Sequence, residues 1–273
     1  MDTSFEYIFP AIRGIQAGRE YYVSMCPLRL IPKIFIFDEE ELVPELRAQR
    51  ILNKSRVPEM ASYIVSPGAS LRGQVRVAGD KSISHRAVMF GALATGVTRV
   101  RQLLEGEDVM ATIAAFRAMG VPVSGERGDY TIEGVGLHGL KQPDQVLDMG
   151  NSGTACRLLA GILAGQPWAA TMSGDNSLNS RPMARIIEPL TRMGASIRSN
   201  NGCPPLDIGV EQGRSTTLRG ISYEMPIASA QVKSAILLAG LYATGTTRVR
   251  EPKPTRDHTE RMLAGFGYPV HRR

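Results

Sequence analysis

Three apolar stretches of the chain share one pattern, in which a short polar turn leads into a helix built mainly from Ala, Leu, Ile, Val and Met. The predicted helices cover Ala87–Leu93, Ala155–Leu163 and Val232–Leu241. A glycine-bounded strand follows each helix, and a second helix that ends in a Gly-containing turn follows the strand. The pattern therefore predicts three units, each running strand, helix, strand, helix and then hairpin.

The three units recur at a nearly constant spacing. Lys81, Thr154 and Ser229, which lie in the three polar turns, are 73 and 75 residues apart, and the glycines that close the second helices are 74 and 73 residues apart. The strands of the first and third units are almost the same peptide, ATGVTRV and ATGTTRV. Self-similarity at a fixed period is the sequence signature of a repeat architecture.

The first polar turn has the features of an anion-binding site. A β-like run ends at Gly79, and Asp80 or Ser82 can cap the following helix, whose first N–H groups then point outward. Lys81 and Arg86 add two positive charges to this end, which favours a phosphate or carboxylate. No G-x-x-x-x-G-K-[ST] string occurs, so the turn is not a P-loop. A surface turn with solvated cations is the alternative.

Length and composition limit the other possibilities. The 273 residues suffice for one large domain plus an appendage, and the net charge of +6 suits anionic substrates. No block of Lys and Arg is long enough to predict a nucleic-acid partner. The three cysteines, Cys26, Cys156 and Cys203, are widely spaced and argue against a disulfide framework or a metal site. Without an apolar run of about 20 residues or a signal peptide, no membrane association is expected and a cytoplasmic location is predicted.

Four motifs carry a resemblance to a known family: GDKSISHR, GNSGTACRL, SRPMARIIEPLTRMGA and PIASAQVKSAILLAGL. From about Ser66 to Tyr268 the chain resembles the 3-phosphoshikimate 1-carboxyvinyltransferases (EPSP synthases), in the branch that carries Ser-Ala-Gln. This family has two domains, each made of three βαβαββ units about a pseudo-threefold axis. The resemblance implies one such α/β (α+β) domain over residues 66–273, with the third unit truncated before its closing hairpin.

Residues 1–63 lie outside the repeat, and we expect them to form a small N-terminal appendage unrelated to it. Short strands are predicted within residues 9–14 and 21–36, and a charged helix at Asp38–Ile51. The segment resembles the N-terminal part of DGQHR-domain proteins, which are associated with DNA phosphorothioation, although the signature that names them is absent. Our interpretation is a fusion of two unrelated pieces; a loosely packed leader is the alternative.

The resemblance implies a reaction in the shikimate pathway to aromatic amino acids. The enolpyruvyl group of phosphoenolpyruvate moves to the 5-hydroxyl of shikimate 3-phosphate and phosphate is released, with no metal or organic cofactor. Both substrates carry phosphate and carboxylate groups, which fits the anion-binding turns. The family's proton-accepting aspartate and proton-donating glutamate lie in its second domain, so no catalytic residue is expected here, and this fragment is expected to have little or no turnover alone. The family is the target of glyphosate.

The resemblance also implies contacts to both substrates on the first two turns. Lys81 corresponds to a lysine that touches both substrates. Ser82 and Arg86 correspond to a pair that holds the carboxylate and hydroxyl of shikimate. Gly153 corresponds to a glycine whose backbone faces the phosphate of phosphoenolpyruvate, and Arg181 to an arginine that clamps the same donor.

The third turn and the loop after it supply the remaining implied contacts. Ser229 and Gln231 match residues on the shikimate phosphate and between the two substrates, while Ala230 offers only its backbone. Arg256 corresponds to a further contact to the shikimate phosphate. Arg86 as a helix-surface charge and Arg256 as a solvated loop cation are the alternatives.

Two other functions stay open at this point. One is a DNA-associated regulatory fragment that acts through residues 1–63. The other is a UDP-sugar enolpyruvyl transferase, which shares the fold, although Ser-Ala-Gln favours shikimate. Lys233, His85 and Cys156 are expected to have supporting, packing or capping roles rather than chemical ones.

Overall fold

The structure is a computed structural model that describes residues 5–9, 21–24, 77–209, 217–268 and 270–272. The predicted helix at Asp38–Ile51 and most of the strands predicted within residues 9–14 and 21–36 lie outside these ranges. The division of the chain between residues 63 and 66 also lies outside them and stays a prediction.

From the first helix of each unit onward, the described elements follow the predicted order, whereas most of the β-like run predicted to open the first unit lies before residue 77, outside the described ranges. Two N-terminal strands come first, β1 (Phe5–Phe9) and β2 (Tyr21–Ser24). The first unit contains α1 (Lys81–Leu93), β3 (Thr95–Arg101), α2 (Glu107–Ala118), β4 (Val123–Glu126) and β5 (Asp129–Val135). The second contains β6 (Leu147–Asp148), α3 (Gly153–Leu163), β7 (Ala170–Ser173), α4 (Asn176–Asn179), α5 (Ala184–Arg192), β8 (Ile197–Asn200) and β9 (Cys203–Ile208). The third contains β10 (Ser222–Glu224), α6 (Ala230–Gly240), β11 (Thr247–Glu251), α7 (His258–Gly265) and β12 (His271–Arg272).

The strands form three four-stranded sheets that share one plan. Their strand orders are β2-β3-β5-β4, β6-β7-β9-β8 and β10-β11-β1-β12. In every sheet the first pair is parallel and the next two pairs are antiparallel. Three sheets with one plan, each accompanied by two principal helices, confirm the predicted α+β repeat.

The first helix of each unit forms the interior of the domain. Ten of the thirteen residues of α1 are buried, as are nine of the eleven in α3 and nine of the eleven in α6. Helices that are buried on nearly every face need apolar residues all round, which explains their composition. The helix α1 begins at Lys81 rather than at the predicted Ala87, because Asp80 caps it by accepting a hydrogen bond from the backbone N–H of Ile83 at 2.8 Å. The cationic motif therefore lies in the first turns of the helix.

The helices α3 and α6 approach each other so closely that one contact requires glycine. A Cβ atom at Gly161 would overlap the backbone carbonyl oxygen of Ala235 on α6. Because the obstacle is backbone, the two helices would have to move apart to accept a side chain there. Packed interiors resist such a shift.

Gly161→Ala is therefore expected to destabilise the protein, by roughly 1–3 kcal/mol as overpacked core substitutions do. The matched control is Gly265→Ala at the end of α7, where an added Cβ would meet no heavy atom within 4 Å. Alanine favours the helix over glycine, so the control is expected to be neutral or slightly stabilising. Urea unfolding of the two variants measures the difference. Equal midpoints would show that α3 and α6 can separate without cost.

Candidate anion-binding site

The three inner helices begin with the same kind of cap. The side chains of Asp80, Ser152 and Ser229 each accept a hydrogen bond from the backbone N–H three residues on, at 2.8, 3.2 and 3.4 Å. The cap fixes where each helix starts and leaves other first-turn N–H groups without an intrahelical acceptor. Together with the helix dipole, these groups give each end a partial positive charge.

Ser82 joins two of the predicted arginines at the start of α1. Its backbone carbonyl accepts a hydrogen bond from Arg86 Nη1 at 2.9 Å, and its hydroxyl accepts one from Arg256 Nη1 at 3.2 Å. Ser82, Arg86 and Arg256 are called the first cluster below. Lys81, next to Ser82, is half exposed and forms an ion pair with Asp108, in the first turn of α2.

Arg86 is buried rather than solvated, which excludes the alternative of a helix-surface charge. Only 3% of the residue is exposed. Its Nε donates to the hydroxyl of Thr259 at 2.7 Å and its Nη2 to the hydroxyl of Ser234 at 2.8 Å. Burial lowers the pKa of Arg86 to about 10, against the attraction of the nearby Glu260. The guanidinium still carries its charge at neutral pH, and its named hydrogen-bond acceptors are all neutral groups.

A second cluster surrounds Gly153, and its central member is Arg157, which sequence reasoning missed. Arg157 Nη1 donates to the carbonyl of Gly153 and to Gln231 Oε1, both at 3.2 Å. The amide of Gln231 in turn donates to the hydroxyl of Thr154 at 3.0 Å. Arg157 lies in the GNSGTACRL motif four residues after Gly153, and that spacing places two residues on the same face of a helix. This spacing was the available signal.

Arg181 is fixed against the same turn by an asparagine. Its Nη2 donates to Asn151 Oδ1 at 2.5 Å, and its Nη1 to the carbonyl of Asn151 at 3.3 Å. The side-chain amide of Asn151 donates to Asp175 at 2.7 Å. This hydrogen bond is the largest cause that lowers the pKa of Asp175 below its usual value, and a hydrogen bond from the backbone N–H of Leu178 is the second largest. The guanidinium of Arg181 is therefore positioned beside Gly153 before any ligand arrives.

Helix α6 connects the two clusters. Gln231 belongs to the second cluster, and Ser234, one turn later, holds Arg86 of the first. Ser229 caps this helix and Ala230 is its first residue, so both lie at the same end. The structure thus brings Ser82, Arg86 and Arg256 together, and Gly153, Arg181 and Gln231 together.

A buried ion network lies beneath the first cluster. Lys233 Nζ is 3.0 Å from Glu251 Oε1 and 2.7 Å from Glu260 Oε1, and the lysine and Glu251 are fully buried. Burial alone would lower the pKa of Lys233, but attraction to the two carboxylates outweighs it and raises that pKa. Glu251 also accepts hydrogen bonds from the hydroxyl and the backbone N–H of Thr255, at 2.6 and 3.2 Å. The network therefore fixes the residue that precedes Arg256.

Neither metal binding nor membrane crossing finds support in the described ranges. Across them, no group of three or more His, Cys, Asp or Glu side chains could hold a metal ion. No helix in the same residues is long and apolar enough to span a membrane.

We expect Lys233→Met to destabilise the protein by about 3–5 kcal/mol, because it leaves two buried carboxylates without a counter-ion. The control is Lys253→Met, which removes an exposed lysine from the loop between β11 and α7. Surface substitutions of that kind change stability by about 0.5 kcal/mol or less. Equilibrium unfolding at pH 7 gives both values. A loss below about 1 kcal/mol for Lys233→Met would mean that the carboxylates find water or protons at little cost.

Comparison with protein families gives a match over most of the chain. The family model of EPSP synthase (3-phosphoshikimate 1-carboxyvinyltransferase) matches residues 65–273. A second family model, described as DNA-sulfur modification-associated, matches residues 9–109 and overlaps the first. The second match covers the segment in which the sequence suggested a DNA-phosphorothioation relative, and it extends into the first unit.

Individual relatives agree with the first match. The 3-phosphoshikimate 1-carboxyvinyltransferase of Alkalilimnicola ehrlichii is 61% identical over 210 residues, which are 76% of this chain and 46% of that protein. The enzyme of the same name from Acidithiobacillus ferrooxidans is 61% identical over 214 residues, covering 78% of this chain and 48% of the relative. The solved EPSP synthase from Acinetobacter baumannii superposes with a TM-score of 0.69 at 56% identity, over 73% of this chain and 45% of that one. The chain spans about half the length of the relatives that it matches.

Proposed function

The chain belongs to the EPSP synthase family, and from that premise we propose that residues 66–273 form a half of such an enzyme that binds shikimate 3-phosphate and contributes to the phosphoenolpyruvate site. In this proposal Lys81, Ser82, Arg86 and Arg256 hold the acceptor, together with the start of α6 at Ser229–Gln231. Gly153 and Arg181 hold the donor.

The observation that supports the acceptor site best is the environment of Arg86. Among the described residues, its hydrogen bonds go to two hydroxyls and one backbone carbonyl, none of which is a carboxylate. A buried charge without a directly bonded counter-ion is costly, and an anion that binds beside it offsets the cost. The carboxylate or phosphate of shikimate 3-phosphate would meet this need.

In the donor site, two guanidinium groups likewise have no carboxylate among their named hydrogen-bond acceptors. The named acceptors of Arg157 are the carbonyls of Gly153 and Pro182 and the amide of Gln231, and those of Arg181 are equally neutral. Burial lowers the pKa of Arg157, and repulsion from the neighbouring Arg181 and Arg185 acts in the same direction. The phosphate of phosphoenolpyruvate would relieve that repulsion, and planar guanidinium groups can hold it bidentately.

The proposal concerns binding rather than turnover. The family's proton-transferring aspartate and glutamate match no position in this chain, and Asp108 is held by Lys81. General acid–base groups typically contribute about 10² to 10⁴-fold to a rate. Enolpyruvyl transfer would therefore need groups that the matched residues do not supply. We also propose a cytoplasmic location, and no nucleic-acid partner for this half.

Calorimetric titration with shikimate 3-phosphate is expected to show binding that weakens in Lys81→Ala. Loss of one charged hydrogen bond costs about 1.5–3 kcal/mol, which is roughly 10- to 150-fold in affinity. The control is Lys141→Ala, which removes an exposed lysine that belongs to neither cluster and whose side chain lies against Gly120 after α2. It should leave affinity unchanged.

The same titration with duplex DNA tests the second candidate function, which the match to the DNA-sulfur modification-associated model favours. Heat with shikimate 3-phosphate alone supports the proposal. Heat with DNA alone reverses the ranking, and equal affinity in Lys81→Ala and the unaltered chain removes the GDKSISHR motif from the site.

Gly153→Ala tests the donor site. An added Cβ would lie 2.7 Å from Arg157 Nη1 and 3.2 Å from Arg181 Nη1, so the methyl group must displace the two guanidinium ends. Glyphosate occupies the phosphoenolpyruvate site of this family and is longer than the substrate, so crowding discriminates against it. In a protein completed with a related second domain, the inhibition constant for glyphosate should rise more than the Michaelis constant for phosphoenolpyruvate. Gly265→Ala is the control, and equal shifts of both constants would remove Gly153 from the donor pocket.

A further inference from the structure

In two of the three sheets, one strand comes from the N-terminal segment. The strand β1 lies in the third sheet, between β11 and β12, and β2 lies at the edge of the first sheet, beside β3. Both strands belong to the same compact unit as Ala78–Arg273. We infer that the N-terminal segment completes the repeat by donating strands within the chain: β1 acts as the closing strand of the third unit, and β2 as the first strand of the first unit.

The position and direction of β1 are those of a closing strand. In the first unit β5 runs antiparallel to β3 on one side and to β4 on the other, and in the second unit β9 has the same relation to β7 and β8. The strand β1 is likewise antiparallel to β11 on one side and to β12 on the other. In the first two units the closing strand follows the hairpin turn directly, whereas in the third it comes from the other end of the chain.

The register of β1 agrees with that of β5 residue by residue. The repeated peptides ATGVTRV and ATGTTRV make residues 98, 99 and 100 equivalent to residues 247, 248 and 249. In the first sheet, Thr98, Arg99 and Val100 pair with Ile132, Thr131 and Tyr130 respectively. In the third sheet, the equivalent residues Thr247, Arg248 and Val249 pair with Phe9, Ile8 and Tyr7.

The other side of β1 gives the same alignment independently. Gly120 and Gly267 close the second helices of the first and third units, so residues four and five positions later are equivalent. In the first sheet, Ser124 and Gly125 pair with Thr131 and Tyr130. In the third sheet, His271 and Arg272 pair with Ile8 and Tyr7. Both neighbours therefore place Tyr7 where the first unit has Tyr130, and Ile8 where it has Thr131.

The sequence of β1 suits this place. The three aromatic residues of FEYIF alternate with Glu6 and Ile8, and they pair with Thr247, Val249 and Glu251, which are all buried. The two intervening residues are opposite Arg248 and Arg250, which are exposed. A slip by one residue would place Glu6 opposite a buried residue, so Glu6 favours the observed register, whereas Ile8 is apolar and does not discriminate.

The strand β2 repeats the argument in the first sheet. Like β6 and β10, it pairs in parallel with the strand that follows the unit's first helix. In the first sheet, Tyr22 and Val23 pair with Arg99 and Val100. In the third sheet, Ser222 and Tyr223 pair with the equivalent Arg248 and Val249. Two donated strands in matching registers are difficult to reconcile with an unrelated appendage.

A pair of engineered cysteines tests the register of β1 in the full chain. In a background with Cys26→Ser and Cys203→Ser, Glu6→Cys with Arg250→Cys joins directly opposed residues. Opposed antiparallel residues have Cα atoms about 4.5–5.5 Å apart, within disulfide range. The control, Glu6→Cys with Arg248→Cys, uses the other exposed arginine two residues away.

Air oxidation followed by mass spectrometry of the linked peptides should give a several-fold higher yield for the opposed pair than for the offset pair. Equal yields, or no link in the opposed pair, would overturn the inference. Wild-type binding of shikimate 3-phosphate is measured separately. Its absence would refute the proposed function and leave the cross-link result intact.

Ile8→Pro tests whether the donated strand supports the fold. Ile8 pairs with Arg248 on one side and His271 on the other, so a proline there removes a ladder hydrogen bond from the interior of a sheet. The melting temperature is expected to fall by about 5 °C or more. Ile8→Val, which keeps the N–H and the β-branched side chain, should melt within about 1 °C of the parent. Failure of Ile8→Pro alone to fold would support the inference, and an unchanged melting temperature would contradict it.

Discussion

The ion network centred on Lys233 is the interaction on which much of the described structure depends. It joins the inner helix α6 to β11 through Glu251 and to α7 through Glu260, in surroundings where none of the three charges could stay unpaired. Glu251 also holds Thr255, which sets the loop that carries Arg256 to the hydroxyl of Ser82. In the pairing of β11 with β1, Glu251 is opposite Phe5. Lys233 thus links the core to the loop of the candidate site, and its partner Glu251 lies on the strand that pairs with β1.

The positive charge at the candidate site stays available to an anion, because the arginines there donate their named hydrogen bonds to neutral groups. Hydroxyls and carbonyls orient Arg86, Arg157 and Arg181 without cancelling their charge. Capped helix N-termini add N–H donors and a partial positive charge in the same region. Lys81 differs, because it forms an ion pair with Asp108. The arginines are therefore pre-positioned, and in the proposed function a substrate anion would have to compete with Asp108 for Lys81.

Local features of this site could be predicted from the sequence, and non-local ones could not. The period, the caps and the order of elements depend on residues a few positions apart, so turn and helix rules find them. Asp80 is recognisable as a possible cap, but the apolar pattern places the start of α1 at Ala87, because most of residues 81–86 are polar and do not continue that pattern. Arg157 was missed because its partner Gln231 is 74 residues away in the chain, and the role of Thr259 for Arg86 depends on a separation of 173 residues. The residue contacts implied by the family resemblance stay predictions.

The pairing of β1 shows why a segment outside the family pattern can still be part of the domain. Strand addition depends on main-chain hydrogen bonds, which any residue except proline can make, and on an alternating pattern that matches the buried face. A sequence therefore needs only a suitable pattern and length to replace a strand, and FEYIF supplies three aromatic residues at alternate positions over five residues. Pairing between residues some 240 positions apart has a high loop-closure cost and leaves no periodic trace in the sequence. An exposed edge at β11 would invite association with other chains. Occupation of that edge by β1 removes the hazard, which gives the N-terminal segment a structural role that does not depend on its resemblance to DNA-modification proteins.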